Sequence, residues 1–286
     1  MWKLRTKYLL SIGGLGNQLF VCNFAHKLAE QQTKKIVILT GWHKNNDRNS
    51  GLKLLLKNCS HPIEVSDSYL IYLLTKFITK LQTLLLVRNL PGLLPVFIEG
   101  YSPTKKNSLG YKFFSGYFQK YEYFPLGPEM TEEIKITCDQ VLQLELESLK
   151  IPTNFTGVHI RRGDYLSHSK TFGLLSENYF KVNLIGAINI CIASDDPDLD
   201  SQAYIWSGAE NVSMLNQSEP WQIFAILSRA NLLITSNSSF SYWAGLVVLR
   251  RGGRAVIPDP WFRDHPQYTP DLLYFGLESA PSEWSD

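Results

Sequence analysis

The chain has 286 residues, 44% hydrophobic and 19% charged, a balance that fits a soluble globular protein with a proper core and room for two ordinary domains. A formal net charge of +2 excludes the global basic field that nucleic-acid binding uses, so anion binding must come from locally placed arginines. Cys22, Cys59, Cys138 and Cys191 are scattered, with no C-x-x-C pair or Cys/His cluster in sequence. That spacing supports neither a zinc site nor a disulfide framework and suits a reduced cytosolic setting.

In chain order, Tyr8–Ile12 reads as a strand, too short for the apolar core of a secretory signal and followed by glycines. GGLGNQLF (Gly13–Phe20) then turns into a helix predicted to run to about Gln32, and Lys35–Thr40 is a second strand. Strand, glycine turn, helix and strand make a βαβ unit and hence part of a parallel sheet. Glycines such as Gly14 and Gly16 let the backbone approach a ligand, and a helix N-terminus offers free N–H groups to an anion. The motif lacks the third glycine of G-x-G-x-x-G, where Leu19 stands, and Thr40-Gly41-Trp42 replaces the strand-end acid of a nicotinamide site. No Gly-Lys-Ser/Thr follows, so it is not a P-loop. A plain tight turn with Asn17 capping the helix competes with the anion reading.

Trp42–Ser50 reads as a polar loop, and the middle of the chain to about Glu99 as helical and irregular. Tyr69–Val87 is the longest apolar stretch, broken by Lys76, Lys80 and Gln82. It is expected not to span a membrane but to be a domain helix facing the core, in preference to an amphipathic helix on a membrane surface. Phe113–Phe124 is dense in aromatics. Thr131–Lys150 reads as a helix with an apolar stripe at Ile134, Val141, Leu142 and Leu149. The breaker Ile151-Pro152-Thr153-Asn154 divides the chain into domains 1–152 and 153–286.

The second half alternates again: strands at Phe155–Ile160, Ile188–Ala193 and near Val212–Leu215, helix Glu219–Arg229, strand Asn231–Thr235, helix Ser239–Arg250 and strand Arg254–Ile257. Such sheets bind ligands beyond the carboxyl ends of their strands. One of those ends is VHIRRGDYL, Val158–Leu166. Strand alternation sends Arg161 and Arg162 to opposite sides, one toward a ligand and the other toward Asp164 or the protein behind it. A guanidinium fork matches phosphate oxygens and never loses its charge. A purely structural Arg–Asp pair is the bland alternative. Asp195 and Asp196 end the next strand, where carboxylates bind ribose hydroxyls or a base edge, or cap a helix; no clustered Asp or His suggests a metal. Thr235-Ser236-Asn237-Ser238-Ser239-Phe240 offers hydroxyls and N–H groups at a helix N-terminus, a second phosphate seat. Together these loops point to a phosphate-bearing nucleotide held without metal.

GGLGNQLF, the aromatic stretch Gly116–Phe124, VHIRRGDYL and SNSSFSYWAG (Ser236–Gly245), with Ser194-Asp195-Asp196 and Ile257–Phe262, resemble in order and spacing the inverting α-1,2-fucosyltransferases of the blood-group H type, glycosyltransferase family 11. The resemblance spans about Tyr8 to Phe262. It implies an α/β fold of GT-B type, two Rossmann-like domains with a donor cleft between them, and GDP-fucose as donor with no metal or other cofactor. By that resemblance Arg161 contacts the β-phosphate, Arg162 belongs to the same donor loop, and Asp195 or Asp196 reads guanine or ribose. Asn237, Ser238, Ser239 and Phe240 form the pyrophosphate segment. Asn17 and His159 match family residues near the transferred sugar and on the face of Arg161.

The implied acceptor is the 2-hydroxyl of a β-galactoside, such as lactose or a galactose-terminated glycan. Asp164 is a candidate base, though pairing an arginine is its more ordinary job. Trp42, Tyr117, Phe118 and Tyr123 are candidates for stacking on sugar, though core packing is the commoner fate of such residues. Alternatives stay open: GDP-sugar transfer to another glycan or a protein, or an idle nucleotide-sugar-binding protein. The expected place is the cytoplasm, with contact at the inner membrane face as a further possibility.

Overall fold

Short apolar strands and the helices that cross between them build two parallel sheets. In the computed structural model the described residues are 6–31, 35–40, 50–59, 61–88, 94–100, 111–123, 129–143, 151–199, 209–215, 219–264 and 275–285. Trp42, the loop around it and Leu149 lie outside them. The chain divides into two units, Met1–Met130 and Thr131–Asp286. The predicted division lies at the later Ile151–Asn154 breaker, because proline-led breakers are visible in sequence whereas tertiary ion pairs are not.

The first unit runs β1 (Lys7–Leu10), α1 (Leu15–Gln31), β2 (Ile36–Leu39), α2 (Ser50–Lys57), β3 (Ile63–Ser66), α3 (Tyr69–Val87), β4 (Val96–Ile98) and β5 (Phe113–Ser115). Its sheet order is β3-β2-β1-β5-β4, with every pairing parallel. The buried run Ile36–Leu39 is the uniformly apolar strand that a sheet covered on both faces requires. The predicted irregular middle therefore holds two strands, β3 and β4. Each is only three or four residues long, too short for a period to register.

Helix α3 overturns the core-facing expectation. Its buried residues are Tyr72, Thr75 and Gln82. Tyr72 joins the core of Leu10, Val37 and Leu39, and the Gln82 side chain accepts the N–H of Leu94 at 3.2 Å just before β4. The leucines of the helix point the other way, with Leu70 79% and Phe77 67% exposed. By length and composition alone α3 is also apolar enough to cross a membrane.

In the second unit α4 (Glu129–Leu142) precedes β6 (Thr156–Ile160), α5 (Ser169–Phe172), α6 (Glu177–Asn183), β7 (Asn189–Ser194) and β8 (Asn211–Met214). Then come α7 (Pro220–Leu227), β9 (Leu232–Ile234), α8 (Ser239–Arg250), β10 (Arg254–Asp259) and β11 (Glu278–Pro281). The predicted strands and helices of this half are all present, with α5, α6 and β11 additional. The sheet order is β11-β10-β9-β6-β7-β8, again all parallel. Predicted stripe residues Ile134 and Leu142 of α4 are fully buried. Asp139 on the same helix holds both Arg229 and Arg251 at 2.8 Å. Helix α8 is buried from Ser241 to Val248, the all-round apolar pattern of a helix enclosed by its domain.

Each sheet has one point where successive strands change direction of travel. In the second sheet the chain moves from β6 outward through β7 and β8, then returns to place β9 on the other side of β6. In the first, β2 and β3 lie to one side of β1 and β5 to the other. Loops leaving the carboxyl ends of strands at such switch points diverge and leave a crevice. HIRRGD leaves β6 and TSNSS leaves β9. GGLGNQ leaves β1, and the aromatic stretch leaves β5.

Candidate functional site

Just past the carboxyl end of β6 the two arginines take different carboxylate partners. Arg161 spans two carboxylates, Asp164 at 2.6 Å and Asp195 at 2.7 Å, and lies 5.5 Å from the ring centroid of Tyr165. The Nε of Arg162 donates to Asp196 at 2.9 Å. Asp195 is the hub: one of its oxygens accepts the backbone N–H groups of Arg162 at 2.8 Å and Gly163 at 3.1 Å, while the other faces Arg161. A Cβ at position 163 would stand 2.3 Å from that second oxygen, so only glycine lets the loop close on the carboxylate. The paired acids at the end of β7 therefore shape the arginine loop, a role that residue spacing does not reveal. Asp164 is the exposed member of the group, with 60% of its side chain open against 27% for Asp195.

The loop after β9 packs beside this one through His159. Its Nδ1 lies 3.0 Å from Ser236 Oγ, and its ring stacks on Phe240 at 5.0 Å. Burial first, and the nearby Arg161 guanidinium second, lower its pKa to about 3, so the imidazole is neutral at physiological pH. Asn237 is turned into the protein: its side-chain amide donates to the carbonyl of Phe172 at 2.8 Å, and its backbone carbonyl accepts the Tyr165 hydroxyl at 2.9 Å. Ser238 occupies the N-cap position of α8, yet its side chain makes no capping hydrogen bond. Simple capping therefore does not account for the serines. Ser239 and Phe240 open the helix and are half-buried.

In the first unit α1 begins at Leu15, which puts Asn17 inside the first turn rather than at the cap. Gly13 adopts a φ of +88°, and a Cβ there would meet the Asn17 amide nitrogen at 2.4 Å. The Asn17 Oδ1 accepts from Gln119 Nε2 at 2.9 Å. Gly14 is exposed and Gly16 buried. The loop after β5 is organised by Glu99, whose carboxylate accepts the N–H groups of Tyr117 at 2.7 Å and Phe118 at 2.8 Å. Glu99 escaped sequence reasoning, since it stands in no recognisable chemical pattern, and Gln119 was visible only as a member of the aromatic stretch.

Of the aromatic candidates, Phe118 stacks on Phe24 at 4.1 Å, and both Phe118 and Tyr123 are buried, so they serve the core. Tyr117 remains open, 48% exposed. The four cysteines are free thiols. Cys59 Sγ does approach His26 Nε2 at 3.1 Å, a contact the scattered sequence positions conceal.

Two buried histidines give these units an acid sensitivity. His159 titrates at about 3, and His26, lowered by burial and then by His61, at about 4. Between these values and the ordinary 6.5 the unfolded chain binds protons that the folded chain does not, so stability rises with pH across that window. Each histidine contributes a slope of about 1.4 kcal/mol per pH unit. Urea midpoints measured from pH 7 to pH 4.5 are expected to fall steadily, and His159→Gln to flatten the curve. A flat wild-type profile would contradict the burial of both rings.

Two Rossmann-like parallel sheets, the second with a cationic loop and a helix N-terminus at its switch point, define the GT-B class of glycosyltransferase fold. Solved structures agree: a mutant of Arabidopsis thaliana FUT1 in complex with GDP is similar with a TM-score of 0.54 at 11% identity, over 90% of this chain and 70% of that one. A glycosyl transferase family 9 protein from Veillonella parvula gives a TM-score of 0.50 at 11% identity, over 100% of this chain and 89% of that one. An α-1,2-colitosyltransferase of Escherichia coli is 26% identical over 266 residues, 87% of this chain and 90% of the relative. The model of glycosyl transferase family 11 matches residues 101–266, a segment that contains the whole arginine loop and the α8 N-terminus. The chain belongs to glycosyl transferase family 11.

Proposed function

We propose that this glycosyltransferase moves L-fucose from GDP-β-L-fucose to the 2-hydroxyl of a terminal β-galactoside, inverting the anomeric centre to an α-1,2 linkage. One observation carries the reading: Arg161 and the uncapped N-terminus of α8 stand on adjacent strands at the β6/β9 switch point. In the reaction the fucosyl C1–O bond to the β-phosphate breaks and a C1–O bond to the acceptor hydroxyl forms. Negative charge collects on the departing GDP and positive charge on the sugar ring. The guanidinium fork of Arg161 and the α8 N–H groups meet the phosphate charge, stabilising it as it develops.

A phosphate arriving at Arg161 competes with the carboxylates already there. Asp164 is the one to yield, being exposed, while Asp195 is retained by two backbone N–H groups. The displaced Asp164 is then the carboxylate of this loop free to take the acceptor proton. His159, neutral and held by Ser236, positions rather than neutralises. Asn237 acts through Tyr165 and Phe172, and the pyrophosphate is met by the segment Ser238–Phe240 with its backbone N–H groups. Arg162, Asp195 and Asp196 preorganise the loop. Asn17, with Gly14 and Gly16, belongs to the transferred sugar's side.

The test is incubation of purified enzyme with GDP-fucose and lactose in EDTA, with the product linkage read by NMR. A 2-linked α-fucosyl product in undiminished yield is expected; loss of activity in EDTA restored by a divalent cation would end the metal-free proposal. A second reading, transfer of colitose from its GDP-linked form, is favoured by the 26% identical relative. Competition between the two donors at equal concentration separates them.

A further inference from the structure

The outward face of α3 has no place in the transfer reaction, and its composition is inverted for a domain helix. Leu70, Leu73, Leu74, Phe77, Leu81 and Leu84 recur at helical spacing along one side. Leu70, Leu74, Phe77 and Leu84 are 79%, 56%, 67% and 52% exposed. The side toward the sheet carries Thr75 and Gln82. Scattered apolar residues on a surface need no explanation, but a continuous stripe on one helix marks a binding face.

Two further facts say what covers it. The helix cannot cross a bilayer: it is the crossover between β3 and β4, both strands of one sheet, and a spanning helix would put them on opposite sides. It can lie in the interface, as helices with an apolar stripe edged by lysine do. Lys76 and Lys80, one turn apart, border the stripe beside Leu73 and Leu84.

The near-neutral total charge also hides a sharp division. Residues 1–130 carry 17 Lys and Arg against 7 Asp and Glu, whereas residues 131–286 carry 11 against 19. The apolar stripe thus belongs to the cationic unit, which complements an anionic lipid surface. A second copy docked on the same face would set that cationic unit against itself.

We propose that α3 docks the first unit on an anionic bilayer surface, its leucines and Phe77 in the acyl boundary and Lys76 and Lys80 among the headgroups. The full-length wild-type protein is tested by co-sedimentation with vesicles of phosphatidylcholine alone or with roughly a third phosphatidylglycerol. Binding to the anionic vesicles is expected to be roughly tenfold tighter and to weaken at high salt. Leu74→Gln with Phe77→Gln should lower it roughly tenfold again, leaving the melting curve and GDP affinity unchanged because both side chains are exposed. Lys76→Glu with Lys80→Glu should abolish the preference for anionic lipid. Absence of wild-type binding, or binding indifferent to either variant, overturns the proposal. A wild-type dimer that becomes monomeric in the glutamine variant, without vesicle binding, gives the face to a second copy. None of these outcomes depends on which donor sugar is used.

Discussion

Arg161→Lys lowers turnover with GDP-fucose by about two to three orders of magnitude, the usual cost of removing a donor aimed at developing transition-state charge. The substitution keeps the positive charge, so the loss isolates geometry. Arg161 uses its two terminal nitrogens at once, one toward Asp164 and one toward Asp195. Exchanging one carboxylate for a phosphate while keeping the other needs a planar fork. A lysine ammonium, as a point charge on a flexible stem, follows one partner or the other. The expected pattern is a large fall in kcat with a smaller change in GDP affinity, measured by steady-state rates and by calorimetry. A variant with near-wild-type kcat would remove Arg161 from the mechanism. So would a loss confined to KM, which signals uniform binding rather than catalysis.

Gly163→Ala is expected to lower kcat/KM for the donor by about 10- to 100-fold, through a residue that touches no substrate. The added methyl would stand 2.3 Å from Asp195 Oδ2. Asp195 must then leave, breaking its contacts with the N–H groups of Arg162 and Gly163 and with Arg161. The arginine fork loses its fixed side, and a destabilisation of about 1–3 kcal/mol accompanies the activity loss. A double-mutant cycle separates this account from a general loop defect. With Asp195→Ala already in place the clash is gone, so adding Gly163→Ala should cost little more. Additive losses would show that the glycine matters for some other reason.

The chemistry of this site was largely legible in sequence because it sits on local patterns. A strand running directly into Arg-Arg-Gly-Asp, and another into Ser-Asn-Ser-Ser before a helix, mark these loops as candidates with no tertiary information. What could not be read was which acid served which arginine, since Asp195 lies 32 and 33 residues from the N–H groups it accepts. Register between β6 and β7 brings Ile160 opposite Ser194 and thereby delivers Asp195 to the loop. The inward turn of Asn237 and the burial of Phe118 and Tyr123 depend likewise on neighbours remote in sequence.

Helix α3 marks the limit most clearly. Its sequence specifies a helix and a polar stripe through Thr75, Thr79 and Gln82, but not which stripe meets the sheet. Averaged experience favours the apolar side. Here Tyr72 enters the core and Gln82 satisfies a backbone N–H at the start of β4, and these two contacts turn the leucines outward.

By itself, then, the sequence determined the α/β class, the strand-end arginines, the glycine turn and the helix N-termini, all consequences of residue type and short-range periodicity. The tertiary structure alone decided the strand order, which places the loops of β6 and β9 side by side. It also decided that Asp195 is spent on the arginine loop and that α3 shows its apolar face to its surroundings. The physical reason is common to all three: pairing and packing join residues far apart in the chain, and no local pattern encodes the partner.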